Sequence, residues 1–394
     1  MAIGDLLHQT PVTTPDPYTG CPVTRLTPPD HTSHHMYFYN RMVTSDSSRL
    51  LYCAEINGRR NLYLMELATG DAVQLTEGDA LDDYGAMISA DDKSVYYQQD
   101  RKVWKLDLAT LQRTCLYAAP DGWDCGNWGM SDDNRYLVMT ETRRDTLPDL
   151  TGKKGWEFFP LTCAAKPLCH IVYLDTQTGE HHIVVEDRCW FGHAQLRPGD
   201  PDTILFCHEG PYDMIDARLW LIQSDGSRYR CARPQPKDVI ITHEFWMPTG
   251  DRLAYVYRKA DDGSTETIRM MRPETLEEEL FMPCLPYAHF ICDRQRRWFV
   301  GDCQGQETPI HLQTGEGRGQ EVRNDFIYLV DIARKKEIPL CYHGTSWTTI
   351  HGTPQDAHPH PCFTPDGSGV VFTSDREGKP CVYLAKTAGA AAKG

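Results

Sequence analysis

Short apolar runs alternate with polar turns along almost the whole chain. Thr364-Pro365-Asp366-Gly367 leads into Val370-Val371-Phe372, and Pro248-Thr249-Gly250-Asp251 into Leu253-Ala254-Tyr255. Ala90-Asp91-Asp92 precedes Val95-Tyr96-Tyr97, and Ser45-Asp46-Ser47 precedes Leu50-Leu51-Tyr52. A third strand then runs to a second turn, as in Leu62-Tyr63-Leu64 to Ala68-Thr69-Gly70 or Ile171-Val172-Tyr173 to Gln177-Thr178-Gly179. Short strands at regular spacing, punctuated by turn residues, predict an all-β fold. Four strands in a repeat of about 30–50 residues predict a propeller blade. The unit recurs seven times, with blades starting near residues 37, 84, 126, 193, 243, 289 and 358.

The last unit supplies only three strands before an Ala/Lys-rich tail, and the missing outer strand is found at the other end of the chain. Gly20 to Thr27 mirrors Gly70 to Thr76, the stretch that links the first unit to the second. The expectation is therefore a seven-bladed β-propeller closed by the N-terminal strand (about 20–27) in the last blade, with residues 1–394 forming a single propeller domain. Such closure removes exposed strand edges.

Composition narrows the partners. The chain of 394 residues has 55 acidic and 40 basic residues, a formal net charge of −15. Nucleic acid and anionic membrane surfaces call for a basic face, so neither is expected as a partner. A small anionic ligand stays compatible if cations gather locally in a pocket. No stretch approaches the roughly 18 apolar residues of a membrane span, and no signal peptide is visible in the first thirty residues. Fifteen cysteines form no C-x-x-C pair, and Cys53, Cys207 and Cys292 read as buried free thiols in a reducing, cytoplasmic setting.

Reading the position five residues before the turn in each unit gives Asn40, Gly85, Asn127, His193, His243, His289 and His360. Four consecutive blades thus carry histidine at one register, although histidine makes up only 16 of the 394 residues. Neutral imidazoles converging on one mouth suit metal ligation and proton transfer. His358 and His360, spaced by two around Pro359, are expected to share one face of an extended segment. With His289 and the carbonyl oxygen of Gln355, they compose three nitrogens and one oxygen for a divalent ion with open positions. Long loops at about Arg143 to Cys169 and Asp302 to Asp325 belong to the same face. So does the loop from His208 to Asp216, which delivers Arg218 beside the His243 blade. Arg143 and Arg144 read as an ordinary solvated pair.

The segments His35-Met-Tyr-Phe-Tyr39, His208 to Ile222, Thr242-His-Glu-Phe-Trp246 and Gln355 to Pro365 resemble the oligogalacturonate lyases, cytoplasmic bacterial enzymes of pectin breakdown. The resemblance runs through most of the chain. It departs from the family at a remodelled loop, Trp347 to Gln355, and at Cys362, where a serine is expected. It implies a seven-bladed propeller holding manganese (Mn2+, or another divalent metal) on His289, His358, His360 and Gln355. It further implies β-elimination of a small anionic oligosaccharide such as digalacturonate. In that reading His243 is the general base, Arg218 neutralises the uronate carboxylate, and His193 and His208 bind substrate alongside it. Two readings from other classes stay open on the residues alone: a propeller scaffold for protein partners, and a propeller hydrolase that activates water on a histidine-bound metal.

Overall fold

A computed structural model describes residues 2–153, 155–260, 265–304, 310–313, 319–348 and 357–388. Gln355 lies outside these residues, as does part of the Trp347 to Gln355 loop. The described residues contain seven antiparallel sheets in succession, each with four principal strands, and one extra hairpin. Their first strands lie at Ser33–His35, Met87–Ile88, Trp123–Met130, Phe191–Arg197, Val239–Trp246, Tyr287–Cys292 and Cys362–Phe363. In the seventh sheet Pro22–Arg25 pairs with Cys381–Lys386, with Val23 opposite Ala385 and Arg25 opposite Tyr383. The N-terminal strand therefore completes the last blade, and the fold is a seven-bladed β-propeller.

One turn explains why the sequence repeats. Between the first two strands of a blade, a Ser or Thr hydroxyl donates to an Asp two residues on, as Thr44 to Asp46, Ser89 to Asp91, Ser131 to Asp133 and Thr364 to Asp366. The same carboxylate accepts the backbone N–H of Ser48, Lys93, Arg135 or Ser368, which closes the turn locally. Each of the seven turns then needs one residue in the left-handed region: Ser47, Asp92, Asn134, Gly199, Gly250, Arg296 and Gly367, with φ between 57° and 74°. Asp, Asn and Gly tolerate that conformation best, which is why the turns read so clearly.

The chain divides into two compact units. One comprises residues 1–97, 106–112 and 285–394, the other 98–105 and 113–284. In the first, Val300, Leu329 and Leu340 of the sixth sheet pack on Val370, Phe372 and Tyr383 of the seventh. In the second, Val138 and Ile171 meet Ile204 and Phe206, and Leu205 and Leu221 meet Ile241 and Tyr255. Because blades are covered on both faces, strands such as Phe326–Asp331 and Gly369–Ser374 are buried throughout. Each buried aliphatic side chain contributes about 1.5–3 kcal/mol.

The long loops carry secondary structure of their own. The third blade's loop from Arg143 to Leu168 contains two 3-10 turns and the helix Phe158–Ala165, and the sixth blade's loop contains the hairpin Ile310–Gln313 and Gly319–Val322. Arg143 and Arg144 pair at the surface with Asp145 and Asp124. None of the fifteen cysteines is in a disulfide, and Cys53, Cys207 and Cys292 are buried. No helix among the described residues is long and apolar enough to cross a membrane.

Candidate metal centre and arginine cluster

The first unit gathers three histidines. Ring centroids lie 4.1 Å apart for His289 and His360, and 5.2 Å for each of the other two pairs with His358. One nitrogen from each ring falls within 4.8 Å of the others, and all three residues are at most 9% exposed. The convergence of His358 and His360 does not come from simple alternation along an extended segment, because His360 takes φ 46°. A left-handed residue turns the chain there, and the two rings meet nonetheless.

Neighbouring groups fix these rings. His289 Nδ1 lies 2.9 Å from Asp302 Oδ2, while the His289 backbone N–H donates to Asp302 Oδ1 at 2.6 Å. An Nδ1 proton bonded to the carboxylate leaves Nε2 as the ligating nitrogen, the usual arrangement behind a metal-bound histidine. Asp302 is wholly buried, and burial pushes its carboxyl up to about 7 against the opposing pull of His343 and His358. His35 lies 3.0 Å from the carbonyl of Pro359, between the two later histidines, and 2.6 Å from that of Met36. Tyr37 and Phe38 pack their rings against His360 and His289, so the segment His35 to Tyr39 forms one wall of the centre.

The donor set fits a divalent ion. Burial, together with His289, His358, His35 and His34, holds His360 well below the usual imidazole range, so the ring is neutral. Its Nε2 is buried without a hydrogen-bond partner. A buried lone pair left unmatched is costly unless something else binds it. Three histidine nitrogens converging on one point are the kind of donors that manganese or a similar ion takes.

The second unit contains a cluster of a different kind, built around Arg218. Its Nε donates to Glu244 Oε2 at 2.7 Å and one terminal nitrogen donates to Glu244 Oε1 at 3.1 Å, a two-pronged contact. Glu209 receives both terminal nitrogens at 3.3–3.4 Å. His193 Nδ1 sits 2.8 Å from Glu244 Oε1. The neighbouring guanidinium and His193 pull Glu244 far below the ordinary carboxylate range, overcoming its burial, and Glu209 is lowered likewise. Arg218 thus meets Glu209 and Glu244, rather than Asp216 or a stacking ring.

Backbone irregularities explain how these side chains are aimed. The first strands of the third to sixth blades each break register: between Cys125 and Trp128, Gly192 and Gln195, Thr242 and Phe245, and Tyr287 and His289; the fourth blade's strand shifts again between Leu196 and Arg197. His193 (φ 50°) and His243 (φ 58°) occupy these bulges in left-handed conformations. Bulges redirect side chains, and strained non-glycine backbone concentrates at functional sites. His243 is partly exposed. His208 points away from the arginine cluster, since Cys207 and Glu209 share the opposite face of the strand. It stacks on Trp220 at 4.5 Å and packs against Phe191 and Phe206, and burial lowers it to about 4.

Sequence reasoning missed Asp302, Glu209, Glu244 and His35. Glu209 and Glu244 each directly follow a histidine inside a motif already singled out, and that adjacency was the available signal.

A β-propeller bearing a buried three-histidine cluster defines a propeller protein with a candidate metal site. A profile described as oligogalacturonate lyase matches residues 1–391. The chain is 38% identical over 389 residues to the oligogalacturonide lyase of Pectobacterium atrosepticum, covering 98% of each. It resembles a solved structure described as oligogalacturonate lyase in complex with manganese, with 37% identity, 98% of each chain covered and a TM-score of 0.89. A solved oligogalacturonate lyase from Vibrio parahaemolyticus is 36% identical, with 98% of this chain and 99% of that one covered and a TM-score of 0.88. The chain belongs to the oligogalacturonate lyase family, whose members are carbon–oxygen lyases.

Proposed function

We propose that this protein cleaves short oligogalacturonates, including unsaturated digalacturonate, by β-elimination in the cytoplasm, and that its seven blades work as a single domain. The observation that carries the reading is the set of three buried, converging histidines, one with an unmatched nitrogen, in a chain alignable end to end with lyases of this family. Gln355 completes the proposed ligand set as an oxygen donor. A divalent ion held there, manganese by preference, would withdraw charge from a uronate carboxylate and so acidify the adjacent C5–H.

Arg218 is proposed to bind the same carboxylate, fixed in place by Glu209 and Glu244 so that no reorganisation is needed as charge develops. His243 accepts the C5 proton through a neutral ring nitrogen. His193 and His208 are proposed as substrate-binding residues; the burial of His208 among aromatic rings favours a packing contribution for it. The product carries a C4–C5 double bond conjugated with its carboxylate and absorbs in the ultraviolet.

The test is turnover of unsaturated digalacturonate, followed by absorbance, with and without added manganese. Activity that depends on the ion is expected. His243→Ala should abolish turnover, a loss of at least about 10²–10⁴-fold, while metal content and calorimetric substrate binding stay near normal. Loss of the ion together with activity would make His243 a ligand instead.

A further inference from the structure

Elimination from a galacturonate needs two proton-handling groups, not one. In the chair form H5 and O4 are both axial and lie on opposite faces of the ring. The base that removes H5 cannot deliver a proton to O4 in the same step, and an alkoxide leaving group is poor without one. A distinct donor must stand on the other face.

We infer that His193 is that donor, its ring held in place by Glu244 and Glu209. The inference rests on the reading of the protein as a β-eliminating lyase with His243 as base. His193 and His243 occupy equivalent bulges on the first strands of adjacent blades, both in the left-handed conformation. The two strands are bridged where Gln195 Nε2 donates to the Glu244 carbonyl at 3.0 Å. Within the arginine cluster, His193 is the member a ligand can reach most easily. Its side chain is 16% exposed, against 8% for Arg218, 11% for Glu209 and none for Glu244.

Charge points the same way. Glu209 and Glu244 are two carboxylates against one guanidinium, and Cys207, which donates to Glu209 at 3.1 Å, is kept as a neutral thiol by burial. With a neutral imidazole the cluster would carry one net negative charge where an anionic sugar is to bind. A proton on His193 brings the sum to zero. Glu244 Oε1 lies 2.8 Å from Nδ1 and Glu209 Oε1 3.5 Å from Nε2, with a terminal nitrogen of Arg218 3.3 Å from Nδ1. The Nε2–H is the one offered to substrate.

The step balances. His243 takes the C5 proton, the C5–H electron pair becomes the C4–C5 double bond, and the C4–O4 bond breaks with its pair on oxygen. His193 gives its proton to that oxygen, forming the hydroxyl of the leaving sugar. Solvent then restores both histidines, with no net consumption of water.

The experiment compares leaving groups. Digalacturonate requires protonation at O4, whereas a methyl galacturonoside bearing a 2,4-dinitrophenyl ether at O4 expels a stable phenolate unaided. His193→Asn suits the left-handed backbone at this position, and His193→Gln serves as a second variant should the first fail to fold. Turnover of digalacturonate is expected to fall about 10²–10⁴-fold, and that of the dinitrophenyl ether less than tenfold. His243→Ala should abolish both. Equal losses on the two substrates would make His193 a positioning residue, and no loss on either would also overturn the proposal. If unmutated protein eliminates from neither substrate, the lyase reading itself fails. If it handles only digalacturonate, the pH profile decides. A donor requires kcat to fall on the alkaline side in the unmutated enzyme and that limb to vanish in His193→Asn; an unchanged limb overturns the assignment.

Discussion

The histidine centre of the first unit and the arginine cluster of the second are both buried and polar, yet they are built on opposite principles. In the first, three buried rings bring one nitrogen each close together, and a buried nitrogen of His360 has no hydrogen-bond partner among the described residues. The unmatched nitrogen of His360 marks the centre as one that a cation from outside would complete. In the second, Arg218 is already satisfied by two carboxylates, and opposite charges stabilise each other within the fold. The first stores binding capacity at some cost to the folded state. The second stores position, because a guanidinium held from two sides is fixed in one orientation.

The sharpest way to separate them is to remove a member of the first. His358→Ala or His360→Ala should lose bound manganese and lower turnover by more than about 10³-fold, the several kcal/mol that a metal ion supplies to a developing charge. The propeller should remain folded. Metal analysis, circular dichroism and the ultraviolet assay read the three quantities. Full metal content with full rate would remove these residues from the centre.

The same manipulation in the second cluster should have the reverse pattern. Glu244→Gln leaves the Arg218 charge buried with one weaker carboxylate partner, and breaking a buried pair costs about 3–5 kcal/mol. Denaturant unfolding should show that loss while manganese content is unchanged. A smaller functional effect is expected from Arg218→Lys, which keeps the charge but not the planar fork. Turnover should fall about 10²–10³-fold, and unchanged kinetics would mean that the arginine only supports the fold.

What could be read from the sequence divides along the same line. The seven-blade repeat was legible because each turn demands one left-handed residue and four of them close on an Asp just before it, which leaves a periodic mark at Asp46, Asp91, Asp133 and Asp366. The register of His193, His243, His289 and His360 was legible for the same reason, since a repeat aligns its own equivalents. The partners of Arg218 were not. Glu209 follows the second strand of its own blade and Glu244 lies in the next blade's first strand, and only the bulges bring both carboxylates to one guanidinium. Nor could periodicity reveal that His360 turns into the left-handed region. A bulge or a single φ changes where a side chain points without altering the pattern of apolar residues.

Asp302 gives the smallest and most discriminating prediction, because it works on the first centre without being a ligand. Both its oxygens accept hydrogen bonds from His289, one from the backbone N–H and one from Nδ1. Asn offers one accepting oxygen, and its amide nitrogen must then face either the backbone N–H or the ring. Facing the ring, the amide donates to Nδ1 and stabilises the tautomer with its proton on Nε2, the nitrogen that would have to ligate the ion. Facing the backbone, it leaves a buried N–H without an acceptor and the strand perturbed beside the site. Either outcome weakens metal binding, and losses of about 10–100-fold in affinity are typical when such an orienting carboxylate is replaced. Manganese titration of Asp302→Asn should show that weakening, and turnover should recover when the ion is raised to saturation. Arg218→Lys should not be rescued in this way, since its defect is not one of metal supply. Rescue of both by manganese, or of neither, would mean that the two clusters are not independent in the manner their chemistry indicates.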